Sequence, residues 1–111
     1  MIRLIQDEAL KAEWNKIATH PMQSWEWGVA REKMGVGVVR VGEFDGEVII
    51  SSFQMTVHSV PYSPFYIGYL PRSSMPSSQT IKFLEDYGKN HNLIYIKIEP
   101  NLRNSNFKIQ I

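Results

Sequence analysis

The feature that most constrains this chain is the dipeptide Asp45-Gly46, set between two runs of alternating side chains. Both residue types tolerate positive φ, so the pair is a strong hairpin signal. Val36–Phe44 reads as the outgoing strand, with Val39 and Val41 on one face and Arg40 on the other. Glu47–Val60 reads as the returning strand. A side-chain period of two places Ile49, Ser51, Phe53, Met55 and Val57 on one face. Ser52, Gln54, Thr56 and His58 fall on the other.

Upstream of the hairpin, Ile2–Ile5 is a short β-prone run. Asp7 caps a helix to about Ala18, whose Leu10, Trp14 and Ile17 recur at i, i+4, i+7. Thr19-His20-Pro21 ends it, because the residue before a proline avoids the helical region. A second helix is expected over about 25–34. Ser24 can cap its free N–H groups, Glu26 suits the positive end of the dipole, and Arg31 and Lys33 suit the negative end. Gly35 is its stop. Trp27, Ala30 and Met34, at i, i+3, i+7, form the expected inward stripe.

Downstream, Pro61-Tyr62-Ser63-Pro64 is a turn, Phe65–Leu70 a short aromatic strand and Pro71–Pro76 a loop. Ser77 or Ser78 caps a helix to about Asn90, with Ile81, Leu84 and Tyr87 buried. Leu93–Glu99 is apolar almost throughout, as in a strand buried between layers. Pro100-Asn101 ends it, and the tail to Ile111 is ambiguous. The order β-α-α-β-β-β-α-β predicts an α/β (α+β) mixed sheet whose last two strands run parallel across a right-handed crossover. It is the order of the first part of the GNAT-type acyltransferase fold, a likeness of element order that says little about function. A GNAT domain continues with another helix and two more strands. Residues 1–111 therefore read as a single, incomplete GNAT-like domain, with Leu93–Glu99 left as an apolar edge prone to self-association.

With 111 residues, 43% hydrophobic and 21% charged, the chain has the makings of one small globular domain. A net charge of +1 gives no basic footprint for nucleic acid. There is no cysteine, hence neither a disulfide frame nor a thiolate. The amino terminus lacks the apolar run of a signal peptide and no segment has the apolar length of a membrane span, so a soluble, cytoplasmic protein is expected. His20, His58 and His91 have no ligand spacing, and no metal is expected. No Ser-His-Asp or paired-carboxylate pattern follows from spacing alone. Gly35-Val36-Gly37 precedes a strand and is no phosphate loop. GNAT enzymes that use acetyl-CoA carry Arg/Gln-x-x-Gly-x-Gly/Ala before the third helix. Here Arg72-Ser73-Ser74-Met75-Pro76-Ser77 has no glycine and loses one amide donor to proline, which disfavours that cofactor.

Three stretches, in order, resemble the FemABX aminoacyltransferases that build the peptide cross-bridges of bacterial peptidoglycan. His20-Pro21-Met22-Gln23-Ser24-Trp25-Glu26-Trp27 is similar to the family's opening, a proline followed by Gln-Ser-x-x-Trp and a basic helix. Tyr69-Leu70-Pro71-Arg72 resembles its Tyr-Ile-Pro-Arg at a strand end. Ile96-Lys97-Ile98-Glu99-Pro100-Asn101 resembles its strand ending in an acid and a proline. Ser73-Ser74 departs from the family's usual Gly-Pro, which bears on the shape of the loop and the aim of Arg72.

The resemblance implies two GNAT-like domains, of which this chain matches the amino-terminal portion of the first. It implies transfer of an amino acid from aminoacyl-tRNA to the amine of a muramyl-pentapeptide precursor, UDP-linked or lipid-linked, without a metal or other cofactor. The first domain would hold the precursor, and a second, absent from this chain, would receive the tRNA. The matching positions are Gln23, Trp27, Arg31, Lys33, Tyr69, Arg72, Lys97 and Glu99. An anionic precursor calls for cations such as Arg31, Lys33 and Arg72. Arg31 and Lys33 also read simply as solvated helix-end charges, Gln23 as a partner for loop backbone and Trp27 as core. Glu99, at the end of an apolar strand, needs a partner or water and is the expected catalytic acid. Two other readings stay open: a small GNAT-type N-acyltransferase with an unusual donor site, and a non-catalytic remnant or binding module.

Overall fold

The six strands of the sheet lie side by side in the order in which they occur along the chain. The structure is a computed structural model describing residues 1–111. The strands are β1 (Ile2–Leu4), β2 (Gly37–Asp45), β3 (Val48–Ser59), β4 (Tyr66–Ser73), β5 (Leu93–Pro100) and β6 (Phe107–Gln110). All neighbours are antiparallel except β4 and β5, which are parallel and joined through a helix. The helices are α1 (Lys11–Ile17), α2 (Trp25–Lys33) and α3 (Ser78–Asn90). Single 3-10 turns at Glu8–Leu10 and Pro21–Gln23 lead into α1 and α2.

Local signals place these elements. Asp7 and Ser77 cap with their side chains, accepting from Ala9 N and Thr80 N, and Ser24 accepts from Trp27 N. The hairpin forms one residue later than expected. Asp45 still pairs with Val48, and the turn is Gly46-Glu47, with Gly46 at φ +59. Positive φ at the first central residue alone is what a type II′ turn requires, and glycine supplies it without strain.

The main core lies between α3 and one face of the sheet, where Phe53, Met55, Leu70, Leu84, Ile96 and Ile98 are all but fully buried. A second core lies on the opposite face under α1 and α2, built on Trp14, Trp25, Ile5, Phe44 and Ile49. Trp14 and Trp25 meet edge to face, centroids 5.9 Å apart, the arrangement the ring quadrupoles favour.

Four expectations need correction. The inward face of α2 is Trp25, Gly28 and Val29, and Met34 is exposed, because Trp25 turns to meet Trp14. Ile49 lies in the second core, opposite Phe53. Glu43 pairs with Ser51 and Phe44 with Ile49, so Ile50 is an extra residue on β3 that shifts Ile49 to the other face. The supposed loop from Pro71 is strand as far as Ser73. Finally, Leu93–Glu99 is neither buried on both faces nor left as an edge. Leu93, Ile96 and Ile98 face α3 while Lys97 is exposed, and the tail forms β6, which pairs along it from Tyr95 to Ile98.

Candidate functional site

A cluster of polar side chains lies at the carboxyl ends of the two parallel strands, on the sheet face that carries α1 and α2. Residues at alternate positions of a strand share a face, so Lys97 and Glu99 project on the side opposite Ile96 and Ile98. Tyr69 pairs with Lys97, and Pro71 with Glu99. Tyr69 Oη donates a 2.5 Å hydrogen bond to Glu99 Oε1, and Lys97 Nζ lies 3.1 Å from Glu99 Oε2. Both oxygens of the carboxylate are thus engaged.

Arg72 joins the cluster through an irregularity of the backbone. Pro71 pairs with Glu99 and Ser73 with Pro100, leaving Arg72 as an extra residue at φ +54. A left-handed arginine is uncommon, and such positions concentrate at functional sites. The side chain is solvent-exposed and close enough for its charge to act on both Tyr69 and Glu99.

The electrostatics are mutually consistent. Burial pushes the Tyr69 phenol up to about 12, helped by the hydrogen bond to Glu99 and by its charge, with Arg72 opposing. The Glu99 carboxyl is held below its usual range first by the Tyr69 hydrogen bond, then by Lys97 and Arg72, with partial burial opposing. At neutral pH the site is therefore a neutral phenol, an ionised carboxylate and two cations. It offers an acceptor for an ammonium group and cations for an anion.

Gln23 reaches the cluster from below. It is fully buried, and its amide closes the gap where β3 and β4 part. Oε1 accepts from Gln54 N at 2.7 Å, and Nε2 donates to Gln54 O at 3.0 Å and to Pro71 O at 2.5 Å. Pro71 has no N–H, so the strands cannot complete the ladder there by themselves. The Gln54 side chain in turn donates to Ser24 O and accepts from Arg40 Nε. A Cβ on Gly28 would stand 2.2 Å from Gln54 Oε1 and 2.6 Å from Arg40 Nη2, so any larger residue there would displace the side chains of this network.

A family model described as the FemAB family matches residues 11–111. The chain belongs to the FemAB family. Among solved structures, the crystal structure of FemX is similar to it in fold, with a TM-score of 0.70 at 17% identity. That match covers 96% of this chain and 28% of the FemX chain, so the chain spans less than a third of that protein's length. No curated protein matches it. No helix is long and apolar enough to cross a membrane.

Within this FemAB-family chain, Tyr69, Lys97, Glu99 and Arg72 come together as one cluster. Gln23 touches its supporting backbone. Arg31 and Lys33 lie apart from it: Arg31 packs over the Trp27 ring at 4.8 Å, and Lys33 is exposed without an ion pair. Trp27 is half-buried, its ring under that guanidinium. Sequence reasoning missed Gln54, which alternation places with Ser52, Thr56 and His58 and which is buried under α2. It also missed Thr19 and Asn101, whose contacts span the length of the chain. His58, which the sequence places on a strand without ligand spacing, is also beside the cluster. It lines, with Ile67, Tyr69, Tyr95 and Lys97, a shallow trough of about 290 Å³ beside the cluster.

Proposed function

We propose that this chain is the precursor-binding part of an aminoacyltransferase of peptidoglycan cross-bridge synthesis, and that the Tyr69–Glu99–Lys97–Arg72 cluster receives the acceptor. Membership of the FemAB family supports the reaction class. The observation that carries the site is the carboxylate held by Tyr69 and Lys97 beside a left-handed Arg72, at the carboxyl ends of adjacent parallel strands. Ligands of open α/β sheets bind at such ends.

In this reading the acceptor amine arrives as an ammonium and takes the place of Lys97 on Glu99 Oε2. An exposed ion pair of this kind costs little to exchange. Lys97 and Arg72 are then free for anionic groups of the muramyl-pentapeptide precursor, Arg72 by a bidentate contact. Tyr69 keeps Glu99 oriented. Its depressed pKa suits Glu99 to anchoring the ammonium, which becomes the attacking amine by giving one proton to solvent. The amine nitrogen then bonds to the carbonyl carbon of the amino acid while the ester to tRNA breaks, the ribose oxygen leaving as a hydroxyl with the amine's second proton. Aminoacyl-tRNA is the donor, held by residues beyond this chain, and no cofactor takes part.

Calorimetry of the precursor with the chain tests the site. Arg72→Ala should weaken binding by roughly 1.5–3 kcal/mol, the scale of a hydrogen bond to a charged group. Glu99→Gln should reduce transfer more than binding in an assembly that turns over. Unchanged affinity in Arg72→Ala together with unchanged transfer in Glu99→Gln would overturn the assignment.

A further inference from the structure

The Arg72 backbone is held at three successive carbonyls by three residues from two segments, the α1–α2 connection and the turn after β5. Gln23 Nε2 donates to Pro71 O, Thr19 Oγ1 to Arg72 O at 2.8 Å, and Asn101 N to Ser73 O at 2.7 Å. Asn101 Nδ2 also donates to Thr19 O at 3.3 Å, which ties two of the three clamps together. A non-glycine residue at φ +54 persists only where its surroundings over-determine it. The Arg72 side chain itself makes no hydrogen bond or ion pair, so the backbone is what sets the direction in which it leaves the chain.

We propose that Thr19 is a positioning residue of this site: its hydroxyl, with Gln23 and Asn101, fixes the Arg72 backbone and so directs the guanidinium toward Tyr69 and Glu99. The inference rests on the functional reading above for its meaning, and on the three hydrogen bonds for its mechanism. Thr19 is the clean lever among the three. It is exposed, whereas Gln23 is fully buried and its loss would disturb the core. An exposed substitution away from the core ordinarily changes stability little.

The experiment uses Thr19→Val, which keeps the shape and loses the hydroxyl, and Thr19→Ser, which keeps the hydroxyl. In the 111-residue chain, backbone coupling constants at Arg72 and the titration of the Glu99 carboxyl are read by NMR, beside the melting temperature. Thr19→Val should shift the Arg72 couplings and move the Glu99 midpoint upward with the melting temperature nearly unchanged, and Thr19→Ser should restore both. Precursor affinity should fall about fivefold in Thr19→Val, the worth of one neutral hydrogen bond. It should not fall further in an Arg72→Ala background, because a positioning residue has nothing left to position. Unchanged Arg72 couplings and Glu99 titration in Thr19→Val would overturn the clamp even if Arg72→Ala weakens binding. Shifted couplings with an Arg72→Ala variant that binds normally would leave the clamp standing and remove the functional reading of the site.

Discussion

Tyr69 and Glu99 are diagonal neighbours across the parallel β4–β5 pair, joined by a 2.5 Å hydrogen bond from phenol to carboxylate. Each shifts the other's titration in a definite direction. Burial and the carboxylate hold the proton on Tyr69, while the phenol's donated hydrogen bond keeps the proton off Glu99. The pair therefore stays neutral phenol and anion over the whole physiological range.

The first prediction follows for alkaline pH. Of the five tyrosines, Tyr69 should ionise last, near 12. Its folded pKa is raised, so the stability it contributes is complete below the ordinary value of 10.0 and is lost as pH rises toward 12. Phenolate absorbance should show one late-titrating group that is absent in Tyr69→Phe. In Glu99→Gln that group should titrate earlier, since the carboxylate's charge is gone while Arg72 still favours the phenolate. A uniform titration of all five near 10 would contradict this.

Arg72 trades stability for aim. A left-handed non-glycine residue costs of order 1–2 kcal/mol, part of which glycine gives back through its freer unfolded chain. Arg72→Gly should therefore raise unfolding free energy in denaturant by up to about 1 kcal/mol, while Arg72→Ala should leave it nearly unchanged. Both should lose precursor affinity. A gain in stability with a loss of binding is the expected signature of strain kept for function.

Gln23 is the opposite case, a polar side chain spent on the fold. Truncation to alanine leaves Gln54 N, Gln54 O and Pro71 O without their partner in a buried place. Each such orphan costs about 1–3 kcal/mol before water enters, so Gln23→Ala should cost at least about 3 kcal/mol. Chemical denaturation measures it directly. Ser52 offers the converse control, since its Oγ is buried with no hydrogen-bond partner. Removing an unsatisfied hydroxyl is neutral to stabilising, so Ser52→Ala should not lower stability.

What was legible in the sequence and what was not divides by range. The Ser24 cap, the Gly46 turn and the α3 stripe rest on neighbours within one turn, and single residues announce them. The juxtaposition of Tyr69 with Lys97 and Glu99 was legible too, because both stretches end adjacent strands joined by one helix. The bulge at Arg72 was not. It depends on Thr19 and Gln23, which lie 53 and 48 positions from their partners, and no local pattern encodes it. The extra Ile50 on β3 was likewise hidden, since an apolar run gives no mark where the period of two slips. Arg31 and Lys33 read as site cations from the resemblance and the anionic precursor it implies, but they lie in the last turn of α2 and join no contact of the Glu99 cluster.

The last prediction concerns acid. Glu99 has a depressed folded pKa, so its contribution to stability is present above the unfolded carboxyl value of 4.5 and is lost as pH falls through the lower folded value. Tyr69 is the chief cause of that depression, with Lys97 and Arg72 after it. In Tyr69→Phe the Glu99 midpoint should therefore rise, as it should in Lys97→Met. Precursor binding through an ammonium on Glu99 should share this profile: flat across neutral pH and failing only in acid, with the failure reaching higher pH in Tyr69→Phe. NMR titration of the Glu99 carboxyl gives the first quantity and calorimetry against pH the second. If binding fell with a midpoint that Tyr69→Phe does not move, some group other than Glu99 would be holding the acceptor.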